Sequence, residues 1–70
     1  MTEATPKQAA VLAFVGTYTA SKGYPPSLRE IADEFGLGSA SAAKIHVVAL
    51  KKKGLLTWQE GKARTLRVVG

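Results

Sequence analysis

The sequence predicts a mainly α fold: three helices followed by a two-stranded antiparallel β-hairpin. Three observations predict it. Two helical patterns lie back to back between Ser27 and Gly54, separated only by Gly36-Leu37-Gly38. Another amphipathic pattern, opened by Thr5-Pro6, precedes them. After Gly54 the apolar residues change from helical spacing to alternation, the period of a strand with one buried face.

The first helix is expected over residues 6–22. Thr5 can cap it, Pro6 suits the first helical position, and Gln8 stands three residues after the cap, where its side chain can return a hydrogen bond. Val11, Leu12, Val15 and Tyr18 form one apolar stripe. Lys22 and Gly23 end the helix, a cation at the negative end of the dipole and a residue tolerant of left-handed backbone. Tyr24-Pro25-Pro26 cannot continue it, because each proline biases its predecessor towards extended geometry.

The second helix, residues 28–35, opens with the S-x-x-E capping box of Ser27 and Glu30. It presents Leu28, Ile31, Ala32 and Phe35 on one side. Its acidic residues suit a first-turn cap and a solvated back. Leu37, between the two glycines, is expected to plug the core from the turn. Ser39 then caps the third helix, residues 40–53. At 100° per residue Ala43, Val47 and Leu50 face inward with His46 at their edge, while Ser41, Ile45, Val48 and Lys52 point outward beside Lys44. Lys51-Lys52-Lys53-Gly54 closes the helix.

Residues 55–69 form the hairpin. Leu55-Leu56-Thr57-Trp58-Gln59 and Thr65-Leu66-Arg67-Val68-Val69 are the strands, with Glu60-Gly61-Lys62-Ala63-Arg64 as the loop and Gly61 supplying positive φ. Leu56, Trp58, Leu66 and Val68 are the inward candidates, because so short a hairpin must pack on the helices to persist. Helix, short glycine turn, longer helix, hairpin is the winged helix-turn-helix architecture. It fills residues 1–70 as a single domain, without internal repeat, low-complexity tract or linker.

The totals narrow the function. The 70 residues carry a net charge of +5 and no cysteine, so disulfides and thiolate metal sites are excluded. No apolar run approaches the roughly 20 residues of a membrane span, and no signal pattern opens the chain. A cytoplasmic protein of a bacterium or phage is expected. Residues 1–35 hold Lys7, Lys22 and Arg29 against Glu3, Glu30, Asp33 and Glu34; residues 36–70 hold Lys44, Lys51, Lys52, Lys53, Lys62, Arg64 and Arg67 against Glu60 alone. Such one-sided positive charge favours a polyanionic partner.

Catalytic readings find no chemistry. His46 is the only histidine and has no carboxylate or cysteine neighbour to orient it or share a metal, so a half-buried structural role is expected. Ser39 and Ser41 lack a base. Glu30, Asp33 and Glu34 share one short helix, where solvation explains them better than paired-carboxylate chemistry. Gly36-Leu37-Gly38 lacks the strand and further glycines of a phosphate loop. No catalytic residue, metal, cofactor or small-molecule substrate is assigned.

Recognition of double-stranded DNA fits instead. Ser39, Ala40, Ser41 and Ala42 are small, so the backbone at the start of the third helix can approach base edges, and alanine methyls can meet the thymine methyl. Lys44 can donate to guanine O6 and N7 or hold a phosphate. Ile45 and Val48 have three uses open to them: thymine methyls, packing beneath the wing, or a protein contact. Lys62 and Arg64 at the wing tip are placed for phosphate or the minor groove, as are Lys7 and Arg29 for phosphate.

TPKQAAVLAFV, GYPPSLREIADEFGL, SASAAKIHVVALKKKGLL and the closing TLRVV together resemble the N-terminal DNA-binding domain of LexA-type SOS repressors over nearly the whole chain. The resemblance implies a winged helix that binds inverted operator half-sites as a homodimer, with the third helix in the major groove and the wing on the backbone. By position it implies base contacts at Ser39, Ser41, Ala42, Lys44 and Ile45; Lys52 and Lys53, at the end of the third helix, are further candidates for the DNA backbone. Well-known members carry asparagine at the position of Ser41 and acidic residues at those of Lys44 and Ile45. A lysine in place of an acid exchanges a preference for the cytosine amine for guanine or phosphate contact. Complete members also carry a C-terminal domain with a Ser-Lys autoproteolytic dyad, which these residues cannot supply. The chain is therefore expected to be either a domain of a longer repressor, slightly favoured by Gly70 directly after the last strand, or a small free-standing phage or plasmid regulator. The alternative reading is a winged-helix protein-interaction module working through a protein partner.

Overall fold

A computed structural model describes residues 4–62 and 64–69. Helix α1 runs Pro6–Lys22, α2 Leu28–Phe35 and α3 Ala40–Lys52; β1 is Leu56–Thr57 and β2 Arg67–Val68. Both capping boxes form. The Gln8 N–H donates to Thr5 Oγ1 at 3.2 Å and the Thr5 N–H to Gln8 Oε1 at 3.1 Å. The Glu30 N–H donates to Ser27 Oγ at 3.1 Å and the Ser27 N–H to Glu30 Oε1 at 2.8 Å. Each satisfies two amides that a helix start leaves without partners.

The turn between α2 and α3 is built from left-handed backbone. Gly36 (φ 63°) ends α2 and Gly38 (φ 85°) redirects the chain into Ser39, a conformation that costs glycine little. Between them the Leu37 N–H donates to the Ala32 carbonyl at 2.9 Å, and the Leu37 side chain packs on the core.

That core is a single apolar cluster. Val11 and Val15 of α1, Ile31 and Ala32 of α2, and Ala43, Val47 and Leu50 of α3 meet Leu56 and Leu66 of the hairpin, all buried. Phe14, Leu28, Phe35 and Trp58 seal its edges, with Phe14 and Phe35 edge-to-face at 5.7 Å. Burial of each Leu, Ile or Val contributes about 1.5–3 kcal/mol, so helix packing dominates stability. Leu12 and Tyr18 of the α1 stripe are only half-buried.

The hairpin departs from the sequence expectation in two ways. Its ladder is shorter: β1 and β2 pair only as Leu56 with Val68 and Thr57 with Arg67, with one further bond from the Val69 N–H to the Leu55 carbonyl at 3.0 Å. Beyond it, the Thr65 side chain replaces the ladder. Its hydroxyl accepts from the Gln59 N–H at 2.9 Å and lies 3.3 and 3.2 Å from the carbonyls of Gln59 and Lys62, to which its own hydrogen can be given. Secondly, Val68 is 40% exposed where it was expected inward. It faces α1 at Gly16, which offers no side chain to cover it; a Cβ there would lie 3.8 Å from Val68 Cγ2. Ala63, expected in the loop, lies outside the described residues.

Candidate nucleic-acid interface

Helix α3 is presented by its cap and its packing. Ser39, in extended backbone, accepts at Oγ from the Ala42 N–H at 3.3 Å, so the chain enters the helix sharply. With Ala43, Val47 and Leu50 buried, Ser39, Ser41, Lys44, Ile45 and Lys52 are exposed and Ala42 is half-buried. Ile45 is the extreme case, 70% exposed. Val48, expected outward, is half-buried, as is His46: wheel angles give direction but not how high neighbouring elements rise around the helix.

A cleft of about 410 Å3 separates α3 from the hairpin. Ser27 and Arg29 from the start of α2, Lys44 and Val47 from α3, and Gln59 and Lys62 from the wing are among the residues that line it. Its one acidic wall residue, Glu60, already pairs with Lys51 at 3.4 Å. Among the described residues Arg29, Lys44 and Lys62 pair with no carboxylate. Three uncompensated cations from three elements thus converge on one opening beside the exposed face of α3. Spacing along the chain gave Arg29, Lys44 and Lys62 as separate candidates; the fold brings them together.

The remaining cations divide. Lys7 and Lys52 are exposed, Lys7 with its Nζ 5.8 Å from the centre of the Phe35 ring. Lys53 is half-buried and donates from Nζ to Gln8 Oε1 at 2.6 Å. Lys51 lies over the Trp58 ring, Nζ 4.3 Å from its centre. Arg67, which the sequence did not single out, is exposed on β2 and lines a second, smaller recess with Thr57 and Gln59.

Arg64 is placed differently from the expectation of an outward wing-tip contact. Its guanidinium turns back onto α2, donating from Nη1 to Glu30 Oε1 at 2.8 Å and from Nη2 to Glu30 Oε2 at 3.3 Å. Nη1 also reaches the Pro25 carbonyl at 3.2 Å, and the group sits 5.1 Å from the centre of the Tyr24 ring. Glu30, expected to close the capping box, does so and also carries this fork and a hydrogen bond from the Tyr18 hydroxyl at 2.9 Å. Arg64 and then the Ser27 amide hold its carboxyl down at about 2 against the opposing effect of burial, with a smaller contribution from the Tyr18 hydroxyl. The same carboxylate raises the pKa of Arg64. No sequence pattern announced this pair, whose members stand 34 residues apart.

No group of His, Cys, Asp and Glu among the described residues could hold a metal ion, and no described helix is long and apolar enough to cross a membrane. The surface offers cations, small polar groups and an apolar side chain on one helix face, beside a cationic cleft.

Comparison with known proteins agrees. The model of the LexA DNA binding domain matches residues 1–65. The LexA repressor of Desulfatibacillum aliphaticivorans is 42% identical over 69 residues, 99% of this chain and 34% of its own length. That of Thermotoga neapolitana is 44% identical over 97% of this chain and 34% of its own length, and that of Pseudomonas chlororaphis 41% over 100% and 35%. The chain thus spans about a third of the length of the curated relatives it matches. It belongs to the LexA DNA-binding domain family.

Proposed function

We propose that this chain binds double-stranded DNA sequence-specifically as the operator-reading part of a transcriptional repressor in the bacterial or phage-infected cytoplasm. The observation that carries the reading is the junction of the exposed α3 face with the cleft where Arg29, Lys44 and Lys62 converge without acidic partners. In this reading α3 enters the major groove. Ser39, Ser41, Ala42, Lys44 and Ile45 face base edges, and the adjacent phosphates run past Lys62 and Arg29 through the cleft, with Lys7, Lys52 and Lys53 on the flanks. Lys44 has two partners within its arc, a guanine edge or a phosphate; Ile45 suits a thymine methyl. Inverted half-sites are bound by two copies, because reading a palindrome requires two-fold symmetry. The domain contributes recognition and no catalysis.

Selection of bound duplexes from a random pool tests the proposal. Enriched duplexes sharing one half-site support it, as does an affinity that falls steeply with salt, each phosphate contact adding about 0.9 to the log–log slope. A pool that shows no enrichment, with a flat salt response, overturns it. Ile45→Asp separates the rival use of this face: loss of a protein partner that otherwise survives high salt, with duplex binding intact, would favour an interaction module.

A further inference from the structure

The hairpin has little to hold its tip in place. Its ladder covers two residues on each side, and Thr65 ties the loop only to itself. Two described side-chain links fasten the loop side of the wing to the helices: the single Lys51–Glu60 contact to α3 at 3.4 Å, and Arg64, which reaches Glu30 through two nitrogens and the Pro25 carbonyl besides. Lys62, two residues before Arg64, lines the cleft with it, and among the described residues pairs with no carboxylate. Glu30 belongs to α2, and the Tyr18 hydroxyl fixes the same carboxylate from α1. Three segments thus meet at one carboxylate, α1, α2 and the wing, while the Tyr24-Pro25 connector meets the Arg64 guanidinium.

From this geometry we infer that Arg64 is a positioning residue: its fork onto Glu30 latches the wing at the spacing from α3 that a DNA backbone needs, and it stays on Glu30 when DNA binds. The inference rests on the DNA-binding reading and deepens it. A guanidinium fork matches a carboxylate in two places, which fixes orientation as well as distance. Arg64 also occupies left-handed backbone (φ 56°), an uncommon state for a residue with a side chain, and here it aims the guanidinium back at α2. A wing held before binding loses less freedom on binding, so the latch favours affinity without touching the ligand. Lys62 and Arg64 therefore differ in kind, although both are wing cations: one faces the cleft with its charge uncompensated, the other is neutralised by its partner.

The two roles open to Arg64 give opposite signs for one substitution. Glu30→Gln keeps the amide-accepting oxygen of the capping box, as Gln8 does in α1, and removes the charge that holds Arg64. If Arg64 contacts phosphate, Glu30→Gln frees it and removes a negative charge near the DNA, so binding tightens. If Arg64 is the latch, binding weakens. The measurement is the affinity of wild type, Glu30→Gln, Arg64→Gln and the double variant for a mixed-sequence duplex of two to three turns, across a salt series. The latch predicts that each single variant binds about three- to tenfold more weakly, the scale of ordering one or two side chains. It also predicts that the double variant is no worse than the weaker single, that the salt slope is unchanged, and that the Gly61 and Lys62 amides lose order in heteronuclear relaxation. Tighter or unaltered binding by Glu30→Gln, or a slope that drops by about 0.9 in Arg64→Gln, overturns the latch while leaving DNA binding intact. Failure of the wild-type protein to bind any duplex overturns both.

Discussion

In the three helices, seven side chains from Val11 to Leu50 are buried in one cluster, and each helix start is closed by a serine or threonine oxygen. The wing adds Leu56 and Leu66 to that cluster, but its outer half is placed by polar groups: the Thr65 hydroxyl, the Lys51–Glu60 pair and the Arg64–Glu30 fork. The difference teaches that stability and placement come from separate sources here. Apolar burial decides whether the domain folds. Exposed, charge-based contacts decide where the wing stands, and such contacts weaken with salt.

The largest effect should come from cutting the helical side. Leu50→Ala in the fully buried centre should lower stability by about 2–5 kcal/mol, read as a fall in the urea midpoint; a loss under about 1 kcal/mol would mean that the helices do not carry the fold. Ser27→Ala, which removes one arm of the α2 capping box, should cost about 1 kcal/mol. Gly16→Ala should go the other way, by about 0.5–1 kcal/mol, since alanine is the better helix former and its Cβ would meet Val68 at an ordinary 3.8 Å. No gain in melting temperature would mean that this hairpin edge packs on α1 more tightly than the distance implies. Thr65→Val should change global stability by less than about 0.5 kcal/mol, yet speed hydrogen exchange at the Gln59 amide, whose acceptor it removes. A large global loss would join the wing to the core and break the contrast.

Acid sharpens the same contrast. Glu30 has its pKa lowered from 4.5 to about 2, so its stabilising contribution is fully present above 4.5, declines below it, and is lost as pH falls through about 2. Between pH 5 and 8 the Arg64 fork should be insensitive to pH. A side-chain NMR titration placing Glu30 at the ordinary glutamate value would show that the fork is not made in solution.

What the sequence made legible was local. Thr5 with Gln8, Ser27 with Glu30 and Ser39 before α3 are caps separated by three residues, and spacing alone reveals them. The buried triad Ala43, Val47 and Leu50 follows from the helical period, and with it the exposed face at Ser41, Lys44 and Ile45. The short ladder was not legible, because alternation cannot say where the Thr65 hydroxyl will supplant a backbone partner. Val68 was misjudged because its cover depends on Gly16, far away in α1. Lys53 with Gln8 and Arg64 with Glu30 join residues 45 and 34 positions apart, beyond the reach of any local pattern. The cationic cleft is of the same kind: its residues were visible singly, and their convergence belongs to the fold.

Titration of the isotopically labelled protein with its selected duplex, followed by amide chemical shifts, tests the central claim most directly. Perturbation concentrated at Ser39 through Ile45 and at Lys62, with the Asp33–Glu34 side of α2 unmoved, is the predicted result. Shifts centred on another surface, with the start of α3 silent, would contradict it.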